Sequence, residues 1–408
     1  MMSKKVPELR FAGFSDDWEE RKLSDGTNKI GDGLHGTPKY SEDGEVYFVN
    51  GNNLVNGQIV ITPETKRVTS NEQSKDDKAL NDSTILMSIN GTIGNLAWYR
   101  GENLMLGKSV AYIEVSDFDK KFIYAYLQTR PVKDYYLNSL TGTTIKNLGL
   151  KAIRNTNICT PTIDEQAKIG SFFKKLDDTI ALYERKLDLL KEQKKGFLQK
   201  MFPKNGAKVP ELRFAGFADD WEERKLKDVT ERVKSNDGRM DLPTLTMSAS
   251  SGWLEQKDRF SGDISGKEKK NYTLLKKGEL SYNHGNSKLA KYGVVFSLTN
   301  YEEALVPRVY HSFRALENTS ADFIEYMFAT KLPDRELGKL VSSGARMDGL
   351  LNIKYDDFMN IHISIPNYEE QILISSFFRK LDEIIALHQR KLDLLKEQKK
   401  GFLQKMFV

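Results

Sequence analysis

A seventeen-residue segment, KLDLLKEQKKGFLQKMF, occurs twice without change, at residues 186–202 and 391–407. Two further blocks recur at a similar distance. VPELRFAGF starts at residue 6 and again at 209, and EQAKIGSFFKKLDDTIALYER, from residue 165, returns as EQILISSFFRKLDEIIALHQR from 370. The chain is therefore two tandem units of roughly 200 residues, and two copies are too few for a solenoid.

Between the repeated blocks the two copies diverge. Residues 24–160 and 227–365 share little, and each mixes strand-like runs (EVYFVN, STILMSI, YGVVFSL, IHISI) with helical segments (KKFIYAYLQTR, ADFIEYMFATK). The sequence predicts an α+β protein in which two globular domains are separated by two long helices. The expected boundaries are a first domain at 1–161, a first helix at 162–202, a linker at 203–208, a second domain at 209–366 and a second helix at 367–408.

Each predicted long helix carries an apolar residue in alternating steps of four and three, a pattern typical of a coiled-coil seam. In the first copy the seam is Ile169, Phe173, Leu176, Ile180, Tyr183, Leu187 and Leu190, and in the second it is Ile374, Phe378, Leu381, Ile385, His388, Leu392 and Leu395. Such a stripe is buried only by another such stripe, and the nearest is the other copy. Ordinary bundle helices are the alternative interpretation.

Antiparallel pairing of the two helices is favoured because parallel pairing would crowd both globular domains at one end. It predicts a rod with one domain at each end and a pseudo-twofold axis between the tandem repeats. Thr162 with Glu165, and Asn367 with Glu370, fit capping boxes at the two helix starts. His388, at the seam position that matches Tyr183, is expected to be a packed histidine rather than a ligand.

Composition narrows the functional classes. Lys and Arg number 62 against 57 acidic residues, a net charge of only +5, which permits nucleic-acid binding without requiring it. Cys159 is the only cysteine, so an intramolecular disulfide and a cysteine zinc site are excluded. We find no apolar run of membrane-spanning length and no signal peptide in the sequence, and we expect a cytoplasmic protein.

Stretches that resemble catalytic motifs fail on context. GDGLHG (31–36) has the glycine spacing of a dinucleotide loop but lacks the preceding apolar strand and the following helix. GENLMLGKS (101–109) has five residues between its glycines where a phosphate loop needs four. The five histidines have no metal-ligand spacing, and two Glu-x-Lys pairs lack a convincing Pro-Asp partner. The residues offer no credible catalytic centre and no metal site.

A family resemblance rests on the repeat arrangement together with short motifs. Each helix is introduced by P-x-x-x-E-Q-x-x-I, which begins at Pro161 and at Pro366, and DGLHGTPKY is followed by GNNLVNG. From end to end the chain resembles the DNA specificity subunit of type I restriction-modification systems. The resemblance implies that each variable region is a target recognition domain that reads one half of a bipartite site in double-stranded DNA.

The resemblance also implies partners and their chemistry. The paired helices set the spacing between half-sites and dock two modification (methyltransferase) subunits, and restriction (translocase/nuclease) subunits join the larger complex. The chain itself is expected to be no enzyme and to bind no cofactor, with S-adenosylmethionine, ATP and magnesium in the partner subunits. Unlike readers on a symmetric scaffold predict an asymmetric site, whereas identical readers would predict a palindrome.

Polar loop residues are the candidates for DNA contact, because base edges and phosphates are bound by amide, hydroxyl and cationic side chains. In the first domain they are Asn50, Asn52, Asn53, Ser88, Asn90, Thr92, Thr143, Thr144 and Lys146. In the second they are Tyr282, Asn283, His284, Asn286, Ser287, Lys288, Ser342, Ser343 and Arg346. The alternative for each cluster is a turn without function. At the level of the whole chain, the alternatives are a coiled-coil structural adaptor that presents two protein-binding domains and a self-sufficient restriction-modification enzyme.

Overall fold

A computed structural model describes residues 6–204, 206–234, 236–260, 266–341 and 350–408, without the side chains of 267 and 268. The chain divides into two compact units. Unit 1 is Met1–Lys186 together with His388–Val408, and unit 2 is Leu187–Leu387. Each unit therefore combines one globular domain with a stretch of both long helices, although the sequence predicted domains and helices as separate segments.

Unit 1 contains a mixed domain followed by the start of the first long helix. Its strands are β1 Glu19–Lys22, β2 Thr27–Asp32, β3 Val46–Val49, β4 Leu54–Val55, β5 Gln58–Ile59, β6 Arg67–Val68, β7 Thr84–Ser88, β8 Leu96–Trp98, β9 Leu104–Leu106, β10 Val110–Val115, β11 Leu140–Thr141, β12 Asn147–Leu148 and β13 Asn157–Thr160. Its helices are α1 Lys75–Ala79, α2 Lys120–Tyr126, α3 Arg130–Asn138, α4 Leu150–Arg154 and the first part of α5 Ile163–Lys200, with 3-10 turns at Leu23–Gly26 and Gly51–Asn53.

Unit 2 repeats this plan with different residues. Its strands are β14 Glu222–Lys225, β15 Thr230–Arg232, β16 Leu245–Ser248, β17 Gly252–Glu255, β18 Thr273–Lys276, β19 Leu280–Asn283, β20 Val294–Ser297, β21 Glu303–Val306, β22 His311–Ala315 and β23 His362–Ile365. Its helices are α6 Leu226–Val229, α7 Gln256–Arg259, α8 Ala321–Ala329, α9 Asp334–Leu340, α10 Tyr355–Met359 and most of α11 Tyr368–Lys405, with a 3-10 turn at Gly266–Asn271.

A four-stranded antiparallel sheet lies at the centre of each domain, in the order β2-β10-β7-β8 in unit 1 and β15-β22-β19-β20 in unit 2. Every residue of β7, TILMS, is buried, as expected for an inner strand covered on both faces. A two-stranded ribbon, β1 with β13 or β14 with β23, precedes each long helix. The variable regions therefore share the topology of the central sheet and the ribbon despite their unlike sequences, while their smaller sheets differ. The α+β prediction is confirmed.

Within each unit the two helix stretches run antiparallel. In unit 1 the Phe172 and Phe402 ring centroids lie 5.0 Å apart, and further along α5 the Glu184 carboxylate lies 2.7 Å from Lys396 Nζ. As the residue number increases along α5, the number of its contact residue on α11 decreases, so the two helix stretches run in opposite directions. Unit 2 has the matching pairs, with Phe197 and Phe377 at 5.1 Å and Lys194 Nζ 2.5 Å from an Asp382 oxygen. The predicted antiparallel pairing is confirmed.

The predicted seam residues fall into two groups by burial. The buried members are Ile169, Phe173, Leu187, Ile374, Phe378, Leu381, Leu392 and Leu395, and the half-buried members are Leu176, Ile180, Tyr183, Leu190, Ile385 and His388. Ile169 and Phe173 belong to the core of the unit 1 domain, so the start of this seam serves the domain as well as the helix pair. The His388 ring packs 5.8 Å from that of Tyr183.

The end of each seventeen-residue repeat is part of a domain core. In unit 1 the Phe407 ring lies 6.3 Å from Trp18 and 5.4 Å from Phe173. In unit 2 the Phe202 ring lies 5.9 Å from Trp221 and 6.2 Å from Phe378. Both phenylalanines are buried. Trp18 and Trp221, and likewise Phe173 and Phe378, occupy corresponding places in the repeated blocks, so identical segments enter matching aromatic pockets.

The Glu-Gln pair of the helix-introducing motif ties each helix to its domain. Gln166 donates to Pro161 O at 2.9 Å and accepts from the Asp119 amide at 3.0 Å, and Gln371 makes the same pair of bonds with Pro366 and Ser320. Both glutamines are buried. Two buried amide groups thereby fix the angle at which each helix leaves its domain.

The glutamates of this motif do not act as the sequence predicted. Asn367 caps its helix, since its Oδ1 accepts from the Glu370 amide at 3.0 Å. The fully buried Glu370 and Glu165 carboxylates, however, each accept two hydrogen bonds from an arginine, Arg213 or Arg10, at 2.7–2.8 Å. This paired hydrogen bonding raises the pKa of both arginines. The bidentate bond to an arginine is stronger than the capping bond that each glutamate would make to the start of its helix. The arginine lies too far away in the sequence for a local motif to indicate the pair.

Candidate nucleic-acid interface

In unit 1 the three predicted polar clusters lie side by side. Ser109 links the first two, because its Oγ donates to Asn50 Oδ1 at 3.0 Å and accepts from the Gly51 amide at 2.9 Å, while its carbonyl accepts from the Ile89 amide at 2.9 Å. Asn90 pairs with Asn147 in an isolated antiparallel bridge, which brings in the β11–β12 hairpin. Loops from distant parts of the sequence thus form one polar surface at one edge of the central sheet.

The candidates on this surface differ in availability. Asn52, Thr92, Thr143, Thr144 and Lys146 are exposed. Asn50, Asn53 and Asn90 are half-buried. Asn53 is occupied within its own loop, since its side chain accepts from the Asn50 amide and donates to Val60 O, both at 2.9 Å.

Ser88 is a correction to the sequence-based prediction. Its side chain is fully buried, and its Oγ accepts from the Asn95 amide at 2.9 Å. The residue is the last of strand β7, where the inner sheet covers it. Ser88 therefore shapes the loop that follows and has no face for DNA.

The sequence analysis missed one basic residue of the unit 1 surface. Lys108 is exposed and precedes Ser109, the residue that joins the clusters. The loop that carries Leu34 runs alongside, with a parallel bridge from Leu34 to Gly107. The sequence Gly-Lys-Ser, in the stretch that was rejected as a phosphate loop, could have indicated this lysine. The stretch was set aside because its glycine spacing is wrong for a phosphate loop.

In unit 2 the polar loop after β19 borders a groove of about 420 Å³. Asn286, Ser287 and Lys288 are exposed on one side of the groove. Ser248, Ser250 and Arg259, which the sequence analysis missed, line the other side, at the β16–β17 turn and the end of α7. The Arg259 guanidinium donates to Met247 O at 3.0 Å. The signal for this side was the serine-rich turn in TMSASSG.

Charge distinguishes this groove. Arg259 and Lys288 both line it, and among the described residues that form its wall there is no aspartate or glutamate. Apart from those two cations, its polar groups are serine hydroxyls and asparagine amides. A wall of donors and cations without carboxylates suits a polyanion with hydrogen-bonding edges.

Tyr282 and His284 are further corrections, because the interior holds both side chains. The Tyr282 hydroxyl donates to Tyr292 O at 2.7 Å, and burial raises the pKa of that hydroxyl. The two ring nitrogens of His284 face Leu351 O at 2.6 Å and Val309 O at 3.0 Å. Asn283 is half-buried and accepts from the Gly285 amide at 3.1 Å.

The remaining three candidates, Ser342, Ser343 and Arg346, lie outside the described residues. Leu350, the first described residue after them, bridges Gly285, and the Leu351 amide donates to His284 O at 2.8 Å. The described segment after residue 349 is therefore a neighbour of the Asn286–Lys288 loop.

The described residues also include groups that bear on other kinds of site. Among these residues, no group of three His, Cys, Asp or Glu side chains is placed to hold a metal ion. His284 and His311 stack at 4.9 Å, but burial lowers the pKa of His311 to about 4, as expected for an interior packing residue. None of the described helices is both long enough and apolar enough to span a membrane.

Comparison with known proteins gives consistent matches. The sequence profile of the type I restriction modification DNA specificity domain matches residues 15–192 and again 218–397. A type I restriction enzyme specificity subunit, MjaVIII, of Methanocaldococcus jannaschii is 21% identical over 340 residues, covering 79% of this chain and 78% of the relative. The crystal structure of a type I restriction-modification S subunit from M. genitalium shares the fold, with a TM-score of 0.64, 14% identity and 99% of each chain covered.

Proposed function

Because the chain belongs to the type I restriction-modification DNA specificity family, we propose that its two units read the two halves of a bipartite site in double-stranded DNA. The observation that carries this proposal is the unit 1 surface, where three separate polar loops meet at one edge of a rigid sheet. Unit 2 supplies a carboxylate-free groove after the corresponding strand. As a specificity subunit, the chain is the recognition component of its system rather than the catalytic one.

In unit 1 the proposed DNA contacts are the exposed residues Asn52, Thr92, Lys108, Thr143, Thr144 and Lys146. The half-buried Asn50, Asn53 and Asn90 are proposed to hold the loops in place. The amide of Asn52 has the donor and acceptor pair that matches an adenine edge in the major groove. The two lysines suit phosphates, since a flexible ammonium acts as a point charge.

In unit 2 the proposed contacts are Asn286, Ser287 and Lys288, with Arg259, Ser248 and Ser250 across the groove. Arg259 has the planar fork that suits a guanine edge, a type of donor that the unit 1 set lacks. The two units are therefore proposed to read different half-sequences, and the whole site is asymmetric.

The partner subunits are proposed from a second feature, the apolar residues that the long helices leave exposed. Unit 1 exposes Leu182 and Leu394, and unit 2 exposes Leu189 and Leu387, each by more than half of its surface. Leu182 and Leu387 occupy equivalent positions in the repeat, and so do Leu189 and Leu394. A partner that fits the exposed helix residues of one unit therefore also fits those of the other. We propose two modification subunits here, which carry S-adenosylmethionine, with restriction subunits that use ATP and magnesium joining the larger complex.

The test is a salt titration of DNA binding by the chain assembled with its modification subunits, on a duplex that carries the methylated site mapped in host DNA. We expect nanomolar-range binding that weakens steeply with salt, because released counterions give a slope of about −0.9 per phosphate contact. A scrambled duplex is the control. Binding that is equal for both duplexes, or independent of salt, would favour the structural adaptor instead.

A further inference from the structure

Two aliphatic side chains project from the proposed DNA-reading loops, one in each unit. Leu289 is 69% exposed and Ile145 is 65% exposed, the highest values among the large hydrophobic residues that the structure describes. Exposed aliphatic residues are common on protein surfaces when they are scattered. Here the two extremes lie on proposed reading loops, the β11–β12 turn in unit 1 and the β19–β20 loop in unit 2, and each has a neighbouring lysine, Lys146 or Lys288.

In unit 1 a rigid hairpin holds Ile145 at its tip. The flanking strands pair from Leu140 to Leu148 and from Thr141 to Asn147. The turn is tight, since a side chain at Gly142 would meet Ile145 O at 2.3 Å, and this glycine has a φ of +89°. Leu148 is fully buried and its amide donates to Ile89 O at 2.8 Å. The hairpin is thus anchored in the core while its tip faces solvent.

In unit 2 a two-residue turn holds Leu289 in a similar way. Ser287 and Ala290 exchange both backbone hydrogen bonds at 3.1 Å, with Lys288 and Leu289 between them. Ser287 Oγ also accepts from the Ala290 amide at 3.1 Å, and the Ala290 side chain is buried. The backbone that carries Leu289 is therefore fixed before any partner arrives.

An aliphatic group that a rigid turn holds in water, beside a cation and hydroxyl donors, suits a partner with an anionic exterior and an apolar interior. Double-stranded DNA has this combination, because phosphates surround stacked bases. Leucine and isoleucine are among the residues that proteins insert between base pairs, partly unstacking them and bending the duplex. A preformed turn lowers the ordering cost of such an insertion.

We propose that Ile145 and Leu289 are wedges that enter the duplex between neighbouring base pairs, one in each half-site, and bend the DNA there. The proposal rests on the proposed function and extends it, since a bent site is also read through its deformability. Base steps that unstack easily, such as TA and CA, are then favoured at the two insertion points even where no side chain touches a base edge.

The experiment uses the full chain with its modification subunits on the mapped site, with 2-aminopurine placed at each adenine that is not methylated. We expect the fluorescence to rise on binding at one step in each half-site. In Leu289→Ala the rise should disappear from one half only, and in Ile145→Ala from the other. Each variant should bind about tenfold more weakly, and Leu289→Met and Ile145→Leu should restore most of the signal.

Leu137→Ala, in unit 1 but outside the proposed surface and 58% exposed, is the matched control and should bind like the wild type. End-to-end energy transfer across the duplex should report a smaller bend in each alanine variant. The wedge proposal is overturned if no step unstacks, if the alanine variants unstack the DNA like the wild type, or if they lose modification subunits instead of DNA. If the wild-type complex itself does not prefer the mapped site, it is the proposed function that fails.

Discussion

The helix repeats and the reading loops show opposite relations between the two halves of the chain. Where the halves repeat the same residues, equivalent ion pairs form, as in the Lys399–Asp177 pair of unit 1 at 2.6 Å and the Lys194–Asp382 pair of unit 2 at 2.5 Å. Where the halves differ, the topology of the central sheet persists but the surface groups change. Residues are thus repeated where they face the scaffold and unlike where they face the proposed DNA.

One position between these regions follows neither pattern. Lys174 in unit 1 pairs with Asp178 on its own helix, at 2.5 Å. The corresponding Arg379 in unit 2 reaches into its domain and contacts Glu325 at 3.0 Å and Asp322. Burial lowers the pKa of Arg379, but hydrogen bonding to Asp322 and the charge of Glu325 raise it overall. At this position the repeated helix adapts to an unlike domain through a change of side chain.

The largest expected effect breaks the shared scaffold. Leu187→Asp with Leu392→Asp places charges at two buried seam positions, and we expect a loss of roughly 4–5 kcal/mol or more in the free energy of unfolding. Leu182→Asp with Leu387→Asp, at exposed positions of the same helices, should change it by less than about 0.5 kcal/mol. Urea unfolding of the chain alone compares the two.

The same two double variants separate folding from assembly. The exposed-position variant should fold normally and yet lose its modification subunits. A seam variant that unfolds at the wild-type midpoint would contradict the coiled coil. An exposed-position variant that assembles normally would contradict the proposed docking residues.

The next effect tests the equivalence of the two repeats. Phe202→Ala and Phe407→Ala remove the same residue from identical segments in matching aromatic pockets, so each should cost about 3–5 kcal/mol. Phe→Leu at either site is the milder control. Calorimetry or urea unfolding measures both, and a large loss at one site with none at the other would show that only one repeat end supports its domain.

Smaller effects are expected where the halves differ. Lys108→Ala and Lys288→Ala should each reduce the salt slope of DNA binding by about one and weaken binding to all sequences alike. Asn286→Ala should relax selectivity in one half-site only, by about 1–3 kcal/mol. Lys227→Ala, an exposed lysine outside the proposed surface, should change neither quantity. Binding to single-base variants of the site at fixed salt measures these differences.

The smallest effect concerns the acid of the repeated ion pair. Burial raises the pKa of Asp177 despite the nearby Lys399. A raised pKa in the folded state means that ionisation opposes folding, so this contribution favours stability at low pH and is lost as the pH rises through the raised pKa. In the Asp177→Asn variant the asparagine cannot ionise. The stability of this variant relative to the wild type should therefore increase as the pH rises from below 3.8. Parallel pH profiles of unfolding would contradict this.

Asp382→Asn provides the comparison. The Asp382 carboxylate accepts from the Tyr326 hydroxyl at 2.8 Å as well as pairing with Lys194. The loss of a charged acceptor with two donors should cost about 1.5–3 kcal/mol at neutral pH. If Asp177→Asn costs as much as Asp382→Asn at neutral pH, the two ion pairs are more alike than the tyrosine contact suggests.

The sequence was most informative where periodicity decides the structure. The seven-residue pattern predicted the helices α5 and α11, and the position of a globular domain before each helix predicted their antiparallel pairing. The strand-like runs around Thr84–Ser88 and His362–Ile365 are strands, and the family inferred from the repeat is confirmed. These features follow from local spacing and burial, which a single chain records directly.

The loops were less predictable, for physical reasons. SYNHGNSK reads as one polar cluster, but it spans the end of β19, so Tyr282 lies in the core while Asn286 and Lys288 are exposed. Ser88 was misplaced in the same way at the end of β7. The Arg10–Glu165 pair, and the groove that Arg259 and Asn286 both line, depend on the approach of segments separated in sequence, which no local pattern reports.

The central claim is that each unit reads one half-site independently on a repeated scaffold. The most direct measurement replaces residues 24–160 with a second copy of 227–365 and maps methylation in cells that contain the modification subunits. Two identical readers on an antiparallel helix pair should convert the asymmetric site into an inverted repeat of the half read by unit 2. Retention of the original first half-sequence, or methylation of an unrelated asymmetric site, would contradict the claim.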